Sequence, residues 1–300
     1  MNTVFLLSNW YSGATLFSLI LDSNPDIVCN GETFPFNKYD KRRYICSCGQ
    51  HIDECDFYTQ TTNYSKETEF HEAWNYDDHV ILPRFHENHV LNKYLTSPIR
   101  DSFLRNTFAH ATGVTKKINN FLQSQIDFFK SALEYSNAKI YIDGTKSIRR
   151  AQLFSDFYKQ EKVKVIHLVR DPAAFCNSYR KNRDIDENMI DTAITEWNDY
   201  IKSVEQLKKR KNVVVLDVRY EDVCNELEAT LSRIKDFLGN DISSDFMQEK
   251  LKSHILGNRM RASFDYTVTE DLSWKEQLSD DTVSTIKTKT KYFSQRYDYL

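Results

Sequence analysis

Arg170 and Ser178 stand eight residues apart, where an apolar run gives way to an Arg-Asp-Pro turn and a helical pattern. An arginine leaving a strand at the carboxyl edge of a sheet can fork onto a phosphate with paired N–H donors. Pro172 suits the first turn of the next helix, whose amino end also favours an anion, and Ser178 can present its hydroxyl to the same group. Taken alone, the stretch reads equally well as an Arg-Asp surface pair beside a solvated serine. A second candidate anion site lies at the amino terminus, where an apolar run reaches a short turn at 9–13 and a helix begins near Ala14. The turn's backbone N–H groups and the helix dipole would converge on one point. Gly13 permits close backbone approach there, and Thr15 adds a hydroxyl. The nucleoside-triphosphate loop G-x-x-x-x-G-K-[ST] is not met, because Ser8 takes the first glycine's place and Ala14 the lysine's.

Both sites need a sheet whose strands end together. Apolar runs at 3–8, 139–143, 163–169 and 213–218 predict strands, with a short one at 27–29. Helical periodicity marks 14–22, 116–135, 148–158, 172–181, 188–209 and 227–238. The alternation predicts an α/β fold with a mostly parallel central sheet flanked by helices. Both anion sites then fall on the ligand edge of that sheet. With only 7 glycines and 5 prolines, no linker divides the 300 residues, so one domain is expected. Residues 33–115 break the rhythm and read as an aromatic-rich insertion over the active edge, shaping an acceptor pocket; a peripheral structural lobe is the alternative.

Together the two stretches resemble the nucleotide signature of the sulfotransferase superfamily, whose donor is 3′-phosphoadenosine 5′-phosphosulfate (PAPS). The family's [KR]-[ST]-G-[ST]-T-L loop, which grips the 5′-phosphosulfate, is similar to Tyr11-Ser12-Gly13-Ala14-Thr15-Leu16. Its arginine and serine on the 3′-phosphate match Arg170 and Ser178. Asp143-Gly144-Thr145-Lys146 is similar to the D-x-[ST]-K strand end of bacterial members, and Arg219-Tyr220-Glu221-Asp222 to their R-Y-E-D segment. Gly257-Asn258-Arg259-Met260-Arg261, with Trp274, resembles their G-N-x-x-R…W pattern. The resemblance implies a P-loop-like fold, PAPS as co-substrate, 3′-phosphoadenosine 5′-phosphate (PAP) as product, and nucleotide contacts from residues 11–16, Arg170, Ser178, Tyr220, Asn258, Arg259 and Arg261. Two positions depart from the pattern. Tyr11 replaces the cation that lies near the bridging oxygen, and Ala14 replaces a hydroxyl residue. Losing such a donor costs about 10²–10³ in rate. Lys146 is the expected substitute cation.

For the base that takes the acceptor's proton, the resemblance points to Glu32 in Asn30-Gly31-Glu32, where tyrosylprotein and many bacterial members carry a G-E glutamate. A capping or ion-paired carboxylate is the competing reading. Histidines are rival bases, with His86, His89 and His110 in the insertion as candidates. His167, between apolar neighbours in a strand, reads as a hydrogen-bonded core residue. The expected reaction is in-line sulfuryl transfer to a hydroxyl of a carbohydrate, lipid or small metabolite. The alternative is a noncatalytic PAP/PAPS-binding relative with a sensing or scaffold role.

A formal net charge of -3 leaves no electrostatic footprint for nucleic acid. No signal-like segment precedes the first strand and no apolar run would span a bilayer, so a cytoplasmic protein is expected. Of 6 cysteines, Cys46, Cys48 and Cys55 crowd together. C-x-C is tighter than the usual zinc knuckle, with His51 as the nearby fourth ligand, and no metal site is expected.

Overall fold

Val4 and Leu6 alternate with Phe5 and Leu7, so the first apolar run has no polar side, the pattern of a strand covered on both faces. In the computed structural model, which describes residues 2–32, 45–52, 54–61, 85–96, 102–158, 162–239, 241–247 and 253–300, this run is the centre of a five-stranded sheet. Strands β1 (Asn2–Ser8), β2 (Ile27–Cys29), β3 (Ile140–Asp143), β4 (Val163–Val169) and β5 (Val213–Arg219) lie in the order β2-β3-β1-β4-β5, and every pairing is parallel.

Twelve helices are described: α1 (Ala14–Asp22), α2 (Asp56–Gln60), α3 (His89–Thr96), α4 (Ser102–Ala111), α5 (Val114–Ser136), α6 (Ile148–Phe157), α7 (Pro172–Arg183), α8 (Ile190–Lys208), α9 (Tyr220–Asn225), α10 (Leu227–Leu238), α11 (Trp274–Gln277) and α12 (Asp280–Ser294). On one sheet face Val4, Leu6, Ile142 and Ile166 pack with α1 and α10. On the other, Phe5, Leu7, Tyr141 and Val165 pack with α5 and α6. A third apolar cluster joins α7, α8 and α12. The expected α/β sheet with helices on both faces is the observed one.

Two regions differ from expectation. Among the described parts of 33–115, α2, α3 and α4 are helical, and Phe57, Tyr58, Phe85 and Leu95 join the main core. Residues 33–44, 53, 62–84 and 97–101 of the expected insertion lie outside the described residues. The last helix, α12, carries a buried stripe of Ile286, Thr290 and Ser294. Small polar residues at four-residue spacing hide it from a hydrophobicity pattern. The Thr290 hydroxyl donates to Ile286 O at 2.8 Å and that of Ser294 to Thr290 Oγ1 at 3.0 Å, which satisfies them inside.

The carboxyl ends of β2 and β3 approach closely because both turns carry glycine. A Cβ on Gly144 would fall 2.8 Å from the Gly31 Cα and carbonyl oxygen. Main-chain atoms cannot swing aside, so Gly144→Ala is expected to destabilise the fold by about 1–3 kcal/mol. Urea unfolding checks this: the midpoint should fall at constant m value, and an unchanged midpoint would show that the two turns can separate freely.

Candidate active site

All five strands contribute to one edge. β1 runs into the turn at 9–13, β2 into Gly31-Glu32, β3 into Gly144-Thr145-Lys146, β4 into Arg170 and β5 into Tyr220. β3 and β4 flank β1, so their ends stand about 10 Å apart at the usual strand spacing. The order reverses around β1: its own connection leads toward β2, while β4 leads to β5 on the opposite side. Such a switch is where ligands enter parallel sheets.

The amino-terminal turn is built around Gly13, which has φ 84 and stands at the N-cap of α1 without a side-chain cap. A Cβ there would lie 2.5 Å from the Tyr220 ring, so glycine lets the aromatic pack against the turn. With no cap and no acidic residue in the first turn, the leading amides of α1 are set for an anion. Ser12, Ala14, Thr15 and Leu16 are all buried, so Ala14 and Leu16 can contribute only through backbone N–H groups.

Arg170 is held against this turn. Its Nη1 donates to Tyr11 O at 2.9 Å and to Ser178 Oγ at 3.0 Å, and its guanidinium carbon stands 4.7 Å from the Tyr220 ring centroid. Nη2 meets the half-exposed Asp271 carboxylate at 3.4 Å, and the buried Nε has no partner. Burial opposes the Asp271 charge, but hydrogen bonds from Ser273 and the Arg170 cation hold its carboxyl below the ordinary range. The two stretches singled out in the sequence therefore meet at one edge.

The amino end of α7 is different from expectation. Asp171 caps it, accepting from Ala173 N at 2.7 Å and Ala174 N at 3.0 Å, so those donors are occupied. Tyr11 also differs. Its ring packs edge-on to Tyr179, with centroids 6.0 Å apart, and only its carbonyl faces Arg170. Burial pushes the Tyr220 phenol well up, so it remains a neutral ring beneath the guanidinium.

Lys146 sits at φ 64, an uncommon conformation for a non-glycine residue, and its carbonyl accepts from Tyr200 Oη at 3.1 Å. The preceding turn is fixed by Asp143, whose Oδ1 accepts from both the amide (2.9 Å) and hydroxyl (2.5 Å) of Thr145, while its Oδ2 meets Arg150 at 2.8 Å. The Lys146 ammonium is ion-paired with Glu32 and stands 4.9 Å from the centroid of the Trp10 ring. Both charged side chains are largely buried. Trp10 was not visible in the sequence as a site residue; its place in the turn after β1 was the only signal.

The carboxyl-terminal pattern is divided. Asn258 N donates to Thr15 Oγ1 at 3.2 Å, which seats this segment on the first turn of α1. Asn258 and Arg259 are exposed. Arg261 is buried and donates to Ile45 O at 2.8 Å and Gly257 O at 2.5 Å. Among the rival bases, His110 packs 6.2 Å from Phe157 at the far end of α6, about 15 Å from Lys146 along a ten-residue helix. His167 is fully buried inside β4 with Nδ1 2.8 Å from Asp217 and no partner at Nε2, a core histidine away from the strand ends.

A parallel α/β protein with an uncapped glycine turn, a buried arginine held against that turn and a lysine–glutamate pair on one edge is defined by these features. The sulfotransferase family model matches residues 3–244, and the chain belongs to the sulfotransferase family. Similar solved structures include the sulfotransferase domain of the Synechococcus PCC 7002 olefin synthase, 16% identical with a TM-score of 0.44, covering 96% of this chain and 94% of that one. A sulfotransferase from Alicyclobacillus acidocaldarius is 13% identical with a TM-score of 0.41, covering 96% and 95%. No curated protein matches the sequence. The family moves sulfuryl groups from a sulfate donor to acceptors, generally hydroxyls. Among the described residues, no helix is long and apolar enough to cross a membrane.

Proposed function

We propose that this protein transfers a sulfuryl group from PAPS to a hydroxyl of a carbohydrate or small-molecule acceptor. The observation that carries the reading is Arg170, joined at once to the turn after β1 and to Ser178, with a carboxylate resting on its outer edge. The Asp271 oxygen occupies a place against the guanidinium that a phosphate oxygen of the 3′ group would take. The uncapped amides of α1 suit the 5′ group.

When bound, the donor supplies an electrophilic sulfur and a nucleotide leaving group. Lys146 is assigned the part of the cation on the leaving group, with its ammonium 4.9 Å from the Trp10 ring centroid. Its ammonium offsets charge gathering on the leaving phosphate. Glu32 Oε1 and Oε2 form the acceptor-side base, taking the hydroxyl proton as the oxygen attacks. The ion pair holds the two groups in register before substrate arrives. The insertion at 33–115 is assigned to the acceptor pocket.

Calorimetry with PAP and with ATP, followed by transfer of labelled sulfate to a library of hydroxyl compounds, tests the proposal. PAP should bind more tightly than ATP, and label should move to at least one acceptor. Tighter ATP binding rejects the nucleotide assignment. PAP binding without transfer favours a noncatalytic relative in which the Tyr11 and Ala14 departures have removed turnover.

A further inference from the structure

The cysteines near the amino end converge with a residue from the opposite end of the chain. Cys46, Cys48, Cys55 and His254 each direct one ligand atom to a common point, all within 4.8 Å of one another. Cys48 Sγ is 3.7 Å from Cys55 Sγ, and His254 Nδ1 is 3.7 Å from Cys46 Sγ and 3.2 Å from Cys55 Sγ. A tetrahedron with Zn–S near 2.3 Å and Zn–N near 2.0 Å has edges of about 3.5–3.8 Å. The fourth group brought to the cluster is His254 and not His51.

We propose that these four residues hold a structural zinc ion. The local backbone is shaped for it. Ile45 and His51 bridge antiparallel, and a turn closed by Cys46 N to Gln50 O (2.8 Å) and Gly49 N to Cys46 O (2.9 Å) carries Cys46 and Cys48. Cys55 stands at the N-cap of α2. Backbone amides of Cys48, Gln50 and Tyr58 point at the sulfurs of Cys46, Cys48 and Cys55 respectively. The His254 ring is fixed by stacking on Phe57, with centroids 5.1 Å apart and planes 17° from parallel. Its carbonyl accepts from Tyr58 Oη at 2.8 Å and Asn30 Nδ2 at 3.0 Å.

Binding Zn²⁺ displaces up to three thiol protons and leaves a site of net charge −1 with no oxidation or reduction. The buried Arg261 guanidinium, tied to Ile45 O and electrostatically coupled to Cys46, offsets that charge. Three of the ligands are buried and all four positions are protein groups, so the site is closed and serves the fold. It staples the segment carrying α2 to residues 253–256. Those pair directly with Asn30–Glu32 through Leu256 N to Asn30 O and Glu32 N to Leu256 O, both at 2.9 Å.

Elemental analysis of the purified full chain should find about one zinc per molecule. Cys48→Ser, at the least buried ligand, should abolish it, while Cys224→Ser should retain it. Should Cys48→Ser not fold, the wild-type protein still decides. Cobalt exchange should give a thiolate-to-metal charge-transfer band and tetrahedral d–d bands, and chelation should lower the Tm by about 10 °C. A folded chain without zinc that gives no cobalt spectrum overturns the proposal. Iron in place of zinc, or a Cys48–Cys55 disulfide in protein purified without oxygen, overturns it equally.

Discussion

Glu32→Gln is expected to lower kcat for sulfuryl transfer by about 10²–10⁴, the range a positioned general base supplies. The change is nearly isosteric, so the KM for the donor should move only a few-fold. Glutamine can still accept a hydrogen bond from Lys146 but cannot keep a proton taken from the acceptor. A purely structural role for Glu32 makes a different prediction, because its main described partner is the Lys146 ammonium. In that case the loss would come from a displaced lysine. Combining Glu32→Gln with Lys146→Met removes the stranded charge and separates the two. If Glu32 is the base, the double variant is slower than Lys146→Met alone. A double variant no slower than Lys146→Met alone would reduce Glu32 to an ion-pair partner.

Arg170→Ala should weaken PAP binding by about 30- to 1,000-fold, the cost of truncating one side of a buried, charge-assisted contact. Arg170→Lys should restore little of this, since one ammonium cannot serve the Tyr11 carbonyl, Ser178 and a phosphate from a planar fork. Adenosine 5′-phosphate provides the control. It lacks the 3′ group, and its affinity should change less than about threefold. Equal losses for both nucleotides would mean that Arg170 acts by holding the turn through Tyr11 O and touches no phosphate. Calorimetry with the two ligands on folded variants decides between these.

Much of the fold was legible because strands covered on both faces carry continuous apolar runs. β4 begins and ends where its pattern does, and β1, β3 and β5 differ by one residue at an end. The turn around Gly13, the Arg170/Ser178 spacing and the strand-end Lys146 were likewise visible, since each is a local arrangement within a few residues. Helices α3 and α12 were not. α12 buries threonine and serine on its inner stripe, and their hydroxyls are satisfied by the helix itself, so no apolar period marks it.

The sequence by itself determined the layered architecture and the residue types on its ligand edge. Backbone conformation and burial periodicity act over short stretches, and their traces survive in the order of residues. Tertiary structure alone decided the partnerships. It brought Glu32 to Lys146 across 114 residues, laid Asp271 against Arg170 across 101, and carried His254 to Cys55 across 199. It also turned the Tyr11 ring toward Tyr179. Strand order sets the meeting of Glu32 and Lys146, because residues distant in sequence become neighbours once the parallel pairing of β2 and β3 has fixed which turns share an edge.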